Sequence, residues 1–291
     1  MARIKLLLLL LLIVQVSLAQ TDTLQPVNKK RLRNFIIGGS VGYAATLVAL
    51  NELWYSDAQK QAFHFFNDNG EWNQIDKIGH FYSAFYFSYG FSKALQGCNV
   101  PVKKSDLIGA ITGFAVLVPI EVFDGYSDAY GASGGDLLAD AAGSVFYLGQ
   151  KRLWNEIRIH PKFSFHRTEY PDNRPDVLGD DLPSELIKDY NGQTFWLSVD
   201  MDKFMQFPKW LNLGIGYGAE GMVYARDYQN TEAGFPPAYR QYYFTLDFDL
   251  TAIKSRSKLV NTLLFIGNMI KLPSPTLEFS SKGTRFYPFY F

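Results

Sequence analysis

The sequence predicts an α+β protein: a compact, membrane-associated bundle of about four apolar helices, followed by a C-terminal antiparallel, aromatic β-sheet. Three observations lead there. Residues 35–50, 78–92 and 107–120 carry no charge apart from the ring of His80. From residue 194 onward, apolar and polar side chains alternate with a period of two, the signature of strands with one polar face. Aromatic residues make up 16% of the chain, 24 Phe and 18 Tyr among them, a bias that suits membrane interfaces and β-rich envelope proteins.

Taken in order, Arg3 and Lys5, an apolar run over residues 6–14 and the ending Ser17-Leu18-Ala19 form the pattern of a cleavable secretory signal, residues 1–19. The run is shorter than the ~20 residues of a membrane span, so cleavage after Ala19 is expected and not an uncleaved first helix. No cysteine stands near that cut to accept a lipid anchor. About 270 residues follow, enough for a substantial core. Cys98 is the single cysteine, so no internal disulfide is available. Lys+Arg and Asp+Glu are both 28, and no basic stripe offers the surface that nucleic acid needs, so nucleic acid is excluded. A Gly-rich phosphate loop, a serine elbow and a Cys-x-x-Cys pair are likewise missing, which removes nucleotides and the common enzyme classes.

Residues 30–157 read as the helical domain. Its fourth helix runs over residues 135–154, with Ser133 placed as N-cap. The uncharged runs are apolar nearly all round, which means burial in protein or in lipid. Fourteen to sixteen residues cover only ~21–24 Å against a hydrocarbon core of ~30 Å, so each run taken alone is a marginal span. Small residues recur every fourth position at Gly38 and Gly42, at Gly109 and Gly113, and at Gly135, Ala139 and Gly143, the spacing that lets helix backbones approach. Residues 158–193, with Pro161, Pro171, Pro175 and Pro183 among many acidic side chains, read as a linker or irregular surface segment.

Residues 194–291 read as the β-rich region. Phe195, Leu197 and Val199 alternate with Trp196, Ser198 and Asp200; Tyr242, Phe244, Leu246 and Phe248 alternate with Tyr243, Thr245 and Asp247. Residues 211–225, 276–280 and 285–291 bring the strands to about five, interrupted by a short helix over residues 258–270. Tyr287, Phe289 and Phe291 give the last strand an aromatic face that resembles the C-terminal signature of outer-membrane barrels. A single-chain membrane barrel needs at least eight strands, so a curved sheet packed on the helices is the expectation.

Ionisable residues interrupt the apolar half in pairs. Asp76 and His80 are i, i+4; Glu121 and Asp124 are i, i+3; Asp136 and Asp140 are i, i+4, so each pair shares a helix face. Three chemistries fit. One is a divalent metal held by His80, Glu121, Asp124, Asp136 and Asp140. A second is acid–base catalysis by His80, Asp76, Glu121 and Asp136, and the third is a structural network joining Lys77, His80, Glu121 and Asp140. His64, His160 and His166 lie outside the pattern and read as exposed or hydrogen-bonded side chains.

The ordered string Asp76-Lys77-x-x-His80-Phe81, Glu121-x-x-Asp124 and Ser133-x-x-Asp136-x-x-x-Asp140-x-x-Gly143 resembles the YfiM-like family of uncharacterised periplasmic lipoproteins. It is distantly similar to the VanZ-like membrane proteins. The resemblance covers residues 35–154 and implies an envelope protein with a helical domain. It also implies that Asp76, Lys77, His80, Glu121, Asp124, Asp136 and Asp140 are the family positions. Two departures stand beside it: the missing lipobox cysteine, and a β-rich half that shorter members do not need. The expectation is an exported bacterial envelope protein of the outer membrane or periplasm, with membrane lipid or envelope proteins as partners. Its role is then structural or lipid-interacting; the alternative is a hydrolase acting on a lipid or cell-wall substrate.

Overall fold

The computed structural model describes residues 25–54 and 59–291, so the expected signal, residues 1–19, lies outside the described residues. The chain divides into two compact units. The described part of residues 1–68 together with 83–155 forms one, and residues 69–82 with 156–291 form the other.

The first unit is helical. Helix α1, Lys29–Trp54, is longer than its uncharged run, because flanking polar residues continue the helix at both ends. α2, Ile75–Gly97, is joined by a tight turn to α3, Val102–Ala115. The expected third helix over residues 107–120 is two helices: α3 ends at Ala115 and α4, Val118–Gly125, begins with Pro119 in its first turn. Proline has no N–H for the ladder and its ring clashes with the carbonyl four residues back, so a single helix cannot run through it undistorted. α5, Gly134–Trp154, starts where expected, its N-cap Ser133 accepting a hydrogen bond from the Asp136 N–H at 3.1 Å.

Glycines decide how closely α3 approaches α2. A Cβ on Gly113 would lie 2.3 Å from Ser88 Oγ, and one on Gly109 would lie 2.6 Å from the Ser88 carbonyl oxygen, so only glycine allows the contact. Gly38 and Gly42 are different. A Cβ on either meets nothing within 4 Å, so the small-residue repeat on α1 does not seat a neighbouring helix in this way. α1 instead leans on the unit through Leu32 and Phe35, which pack against Leu95, Cys98 and Val100, and through Tyr43 OH, which donates to Val116 O at 2.7 Å.

The second unit is a six-stranded antiparallel meander in the order β1-β2-β3-β4-β5-β6. The strands are β1 Ile159–Phe165, β2 Gln193–Val199, β3 Leu211–Glu220, β4 Tyr239–Phe248, β5 Ser274–Ser280 and β6 Gly283–Tyr290. Helices α6, Leu182–Lys188, α7, Asp227–Glu232, and α8, Lys258–Asn268, lie in the connections. β1 is the strand beyond the five expected, and it falls within the segment read as a linker. Pro161 hid it: proline is excluded from central strands, yet β1 pairs only with β2 within the sheet and tolerates the missing donor.

The sheet curls tightly. Lys162 on β1 places its Nζ 2.6 Å from Asp247 Oδ2 on β4 and donates to Phe248 O at 2.7 Å, although two strands separate β1 from β4 in the sheet. At the free edge of β1, Phe163 N donates to Met269 O and Lys271 N donates to Phe163 O, so this edge meets the chain entering β5. Inside the curl Trp196 of β2, Tyr243 of β4 and Tyr290 of β6 form one aromatic cluster, with ring centroids 4.8–5.7 Å apart.

The alternation is therefore present with its polarity reversed. The enclosed face carries Lys162, Ser198, Asn212, Thr245, Asp247, Thr276 and Glu278, all buried. On the outward face Ile215, Phe244 and Phe286 are 57%, 44% and 62% exposed, beside exposed Tyr242, Leu246, Leu277 and Phe279. Only one stretch of the outer face is covered within this unit: Phe163, Phe195 and Tyr217 pack with Trp72, Ile75, Ile78 and Tyr82 from the start of α2 and the turn before it.

Candidate functional site

The candidate residues fall on three short stretches. Asp76, Lys77 and His80 lie on the first two turns of α2, within the second unit. Asp76 Oδ1 accepts a hydrogen bond from Tyr190 OH at 2.8 Å, and Lys77 Nζ is 3.6 Å from Asp76 Oδ2. Each of Asp76 and His80 offers a ligand atom, and these atoms lie within 4.8 Å of each other. The i, i+4 spacing produces this, since one helical turn separates the two side chains.

In the helical unit, Glu121 of α4 and Asp136 and Asp140 of α5 are buried. The end of α4 meets the start of α5 through the N-cap. Ser133 N donates to Glu121 Oε2 at 2.8 Å, while Ser133 Oγ donates to Asp68 Oδ1 at 2.6 Å and accepts from the Asp136 amide. Here a buried carboxylate accepts the backbone N–H of the N-cap residue at the positive end of a helix, where its charge is favoured. Asp124 is only half-buried, and its carbonyl closes the turn to Ser127. Alongside, residues 60–66 run beside the 125–132 segment through single bridges at Lys60–Ser127 and Phe65–Ala132, with His64 Nδ1 3.1 Å from Gly125 O.

A second buried network in this unit was missed from sequence. Asp106 of α3 accepts from Ser92 Oγ and from Tyr147 OH, each at 2.7 Å, with Lys151 Nζ at 3.9 Å. It joins α2, α3 and α5 at one level. The available signal was an acidic side chain immediately before the uncharged run of α3, together with Ser88 and Ser92 four apart on α2.

The interior of the sheet holds the remaining ionisable groups. Asn212 Nδ2 donates to Asp200 Oδ1 at 2.7 Å and His160 Nε2 lies 3.1 Å from Asp200 Oδ2, so His160 is a hydrogen-bonded side chain as expected. Lys271 donates to Ser274 Oγ at 2.9 Å and Tyr290 O at 3.0 Å and sits 4.7 Å over the Trp196 ring; burial pushes its pKa down to about 8. Near the opposite end Asp189 accepts from Thr168 Oγ1 and from the Asn191 amide. Burial raises the Asp189 carboxyl and lowers His166, whose imidazolium Glu220 and Asp189 partly restore. Asp200, His160, Lys271 and Asp189 each have hydrogen-bond or ion-pair partners within their own unit, which is how buried charge is tolerated.

Residues 64–149 match the family described as "Predicted periplasmic lipoprotein (DUF2279)". That stretch runs from His64 to Gly149 and contains Asp76, Lys77, His80, Glu121, Asp124, Asp136 and Asp140. It agrees with an exported protein of the cell envelope or periplasm. The β-sheet unit from residue 156 onward lies outside the matched segment. No curated protein and no solved structure matches the chain.

Proposed function

We propose that this chain is a non-enzymatic, membrane-associated component of the bacterial cell envelope, with lipid as its main partner and the carboxylate network as its internal brace. The observation that carries this is α1. Residues 29–52 form a helical stretch long and apolar enough to cross a membrane, with no part of its most apolar window buried, and Ile36, Ile37, Val41 and Val48 are exposed along it. At 1.5 Å per residue this helix covers ~36 Å, more than the ~30 Å hydrocarbon core. Residues 102–125, spanning α3 and α4, meet the same length and composition test with a third of their window buried.

Alkaline washing of membranes tests the reading. The wild-type chain is expected to stay with the membrane, and a triple variant Ile37→Asp, Val41→Asp, Val48→Asp to shift into the supernatant with its circular dichroism unchanged. A wild-type chain that is soluble without detergent overturns the proposal.

The close pair Asp76 and His80 supports a second reading, a metal-dependent or acid–base hydrolase acting on lipid or cell wall. It assigns catalysis to His80, Asp76, Glu121 and Asp136, and draws metal ligands from His80, Glu121, Asp124, Asp136 and Asp140. Elemental analysis of purified wild type beside His80→Ala separates the two. The brace predicts an unchanged metal content and a less stable variant. Stoichiometric metal, lost in a variant that remains folded, supports the hydrolase.

A further inference from the structure

We infer that the outward face of β3–β6 contacts the hydrocarbon of a membrane directly, making the sheet a second lipid-binding surface besides α1. The inference rests on the membrane-associated reading above and names its partner for the other unit. Register pairing lines up three rows across the strands. Tyr242 and Phe279 form one, beside the covered Tyr217; Ile215, Phe244, Leu277 and Phe286 the next; Leu213 and Leu246 the third. None carries a charge. Along β4 the outward side chains from Tyr242 to Phe248 cover six residue steps, ~20 Å of strand, close to the ~25 Å apolar band of strands in outer membranes.

Two features of the same unit say what covers this face. The enclosed side of these strands holds Asn212, Thr245, Asp247, Thr276 and Glu278, so the usual apolar interior and polar exterior are exchanged, as in strands that face lipid. The charges are also bracketed. Exposed Arg240 is the second residue of β4 and exposed Lys282 lies in the β5–β6 turn, its Nζ 5.2 Å over the Tyr239 ring. Exposed Lys254 and Arg256 follow the other end of β4, and exposed Lys258 opens α8, whose Leu259 and Leu263 are exposed. Basic side chains at both limits of an apolar band complement anionic headgroups and reach them along their own aliphatic stems.

Lipid contact is read by bimane fluorescence of single cysteines, introduced into full-length Cys98→Ser protein. The protein is reconstituted in vesicles of phosphatidylethanolamine and phosphatidylglycerol with brominated acyl chains. Bimane at Ile215→Cys, Phe244→Cys, Leu277→Cys and Phe286→Cys is expected to lose roughly two-fold or more of its emission, and bimane at Lys254→Cys to lose none. If the α1 sites Ile37→Cys and Val41→Cys are quenched while the four sheet sites are not, this inference fails and the proposed function stands. Quenching at neither set overturns both. Disulfide cross-linking of Phe244→Cys between two copies without quenching shows a protein interface on this face, and also overturns the inference.

Discussion

The helical unit and the sheet unit solve the same problem with opposite degrees of legibility. Both enclose polar and charged side chains and leave large apolar ones outside: Asp106, Glu121 and Asp140 within the helices against exposed Ile37, Ile111 and Val145, and Lys162, Asp247 and Glu278 within the sheet against exposed Phe244 and Phe286. In the helices the apolar residues go nearly all round, so no face stands out in the pattern. In the strands the two faces are unmistakable, and only their direction is hidden. The comparison teaches that periodicity reports which side chains share a face, whereas the solvent on each side decides which face turns inward.

The largest effect expected from this comparison lies inside the sheet. Lys162→Ala leaves Asp247 buried without its closest cation, and breaking a buried pair in this way costs about 3–5 kcal/mol. Chemical denaturation in detergent measures it. The double variant Lys162→Met, Asp247→Leu is expected to recover most of the loss, because it removes both charges together.

Next comes the outer face. Phe244→Arg is expected to weaken membrane insertion by ~2–4 kcal/mol, read as the shift in partitioning between vesicles and solution, while leaving the enclosed network intact. The same substitution at an ordinary exposed position would change little.

Among the helices the test is two glycines. Gly113→Ala drives a methyl group against Ser88 and is expected to cost ~1–3 kcal/mol of thermal stability. Gly42→Ala meets open space and is expected to stabilise α1 by up to ~1 kcal/mol through helix propensity. Equal effects at the two sites would remove the distinction between a glycine that seats a neighbouring helix and one that faces open space.

Much of the architecture was legible. Ser133 announced the start of α5 because few residues cap a helix as serine does, and the alternation at residues 195–201 and 242–250 announced β2 and β4. β1 was illegible because Pro161 argues against a strand until its edge position is known. The inward direction of Asp247 and Glu278 was illegible because alternation is symmetric between the two faces. At the candidate site, the pairing of Asp76 with His80 followed from spacing alone. Tyr190 as a partner of Asp76 did not, since 114 residues separate them and only the folded sheet unit brings them together. The joint of Ser133 with Glu121 and Asp68 was illegible for the same reason.

The smallest expected effects sharpen the interior. Ser133→Ala removes the cap of α5 and is expected to cost ~1 kcal/mol in thermal unfolding. Lys271 carries a pH signature. Its pKa falls from 10.5 to about 8 in the fold, so the unfolded chain binds more protons between those values and stability rises with pH across that window. The melting temperature is expected to climb modestly from pH 8 toward pH 10, and Lys271→Met to flatten the climb.

The central claim, that β4 turns its apolar side chains to lipid and its polar ones inward, is tested most directly by a nitroxide scan. Single labels are placed at residues 242–248 of the full chain in vesicles, and their accessibility to oxygen is compared with that to a water-soluble nickel chelate. The account predicts a period of two, with oxygen favoured at 242, 244, 246 and 248 and both reagents excluded at 243, 245 and 247. Nickel favoured at 244 and 246, or no alternation at all, would contradict it.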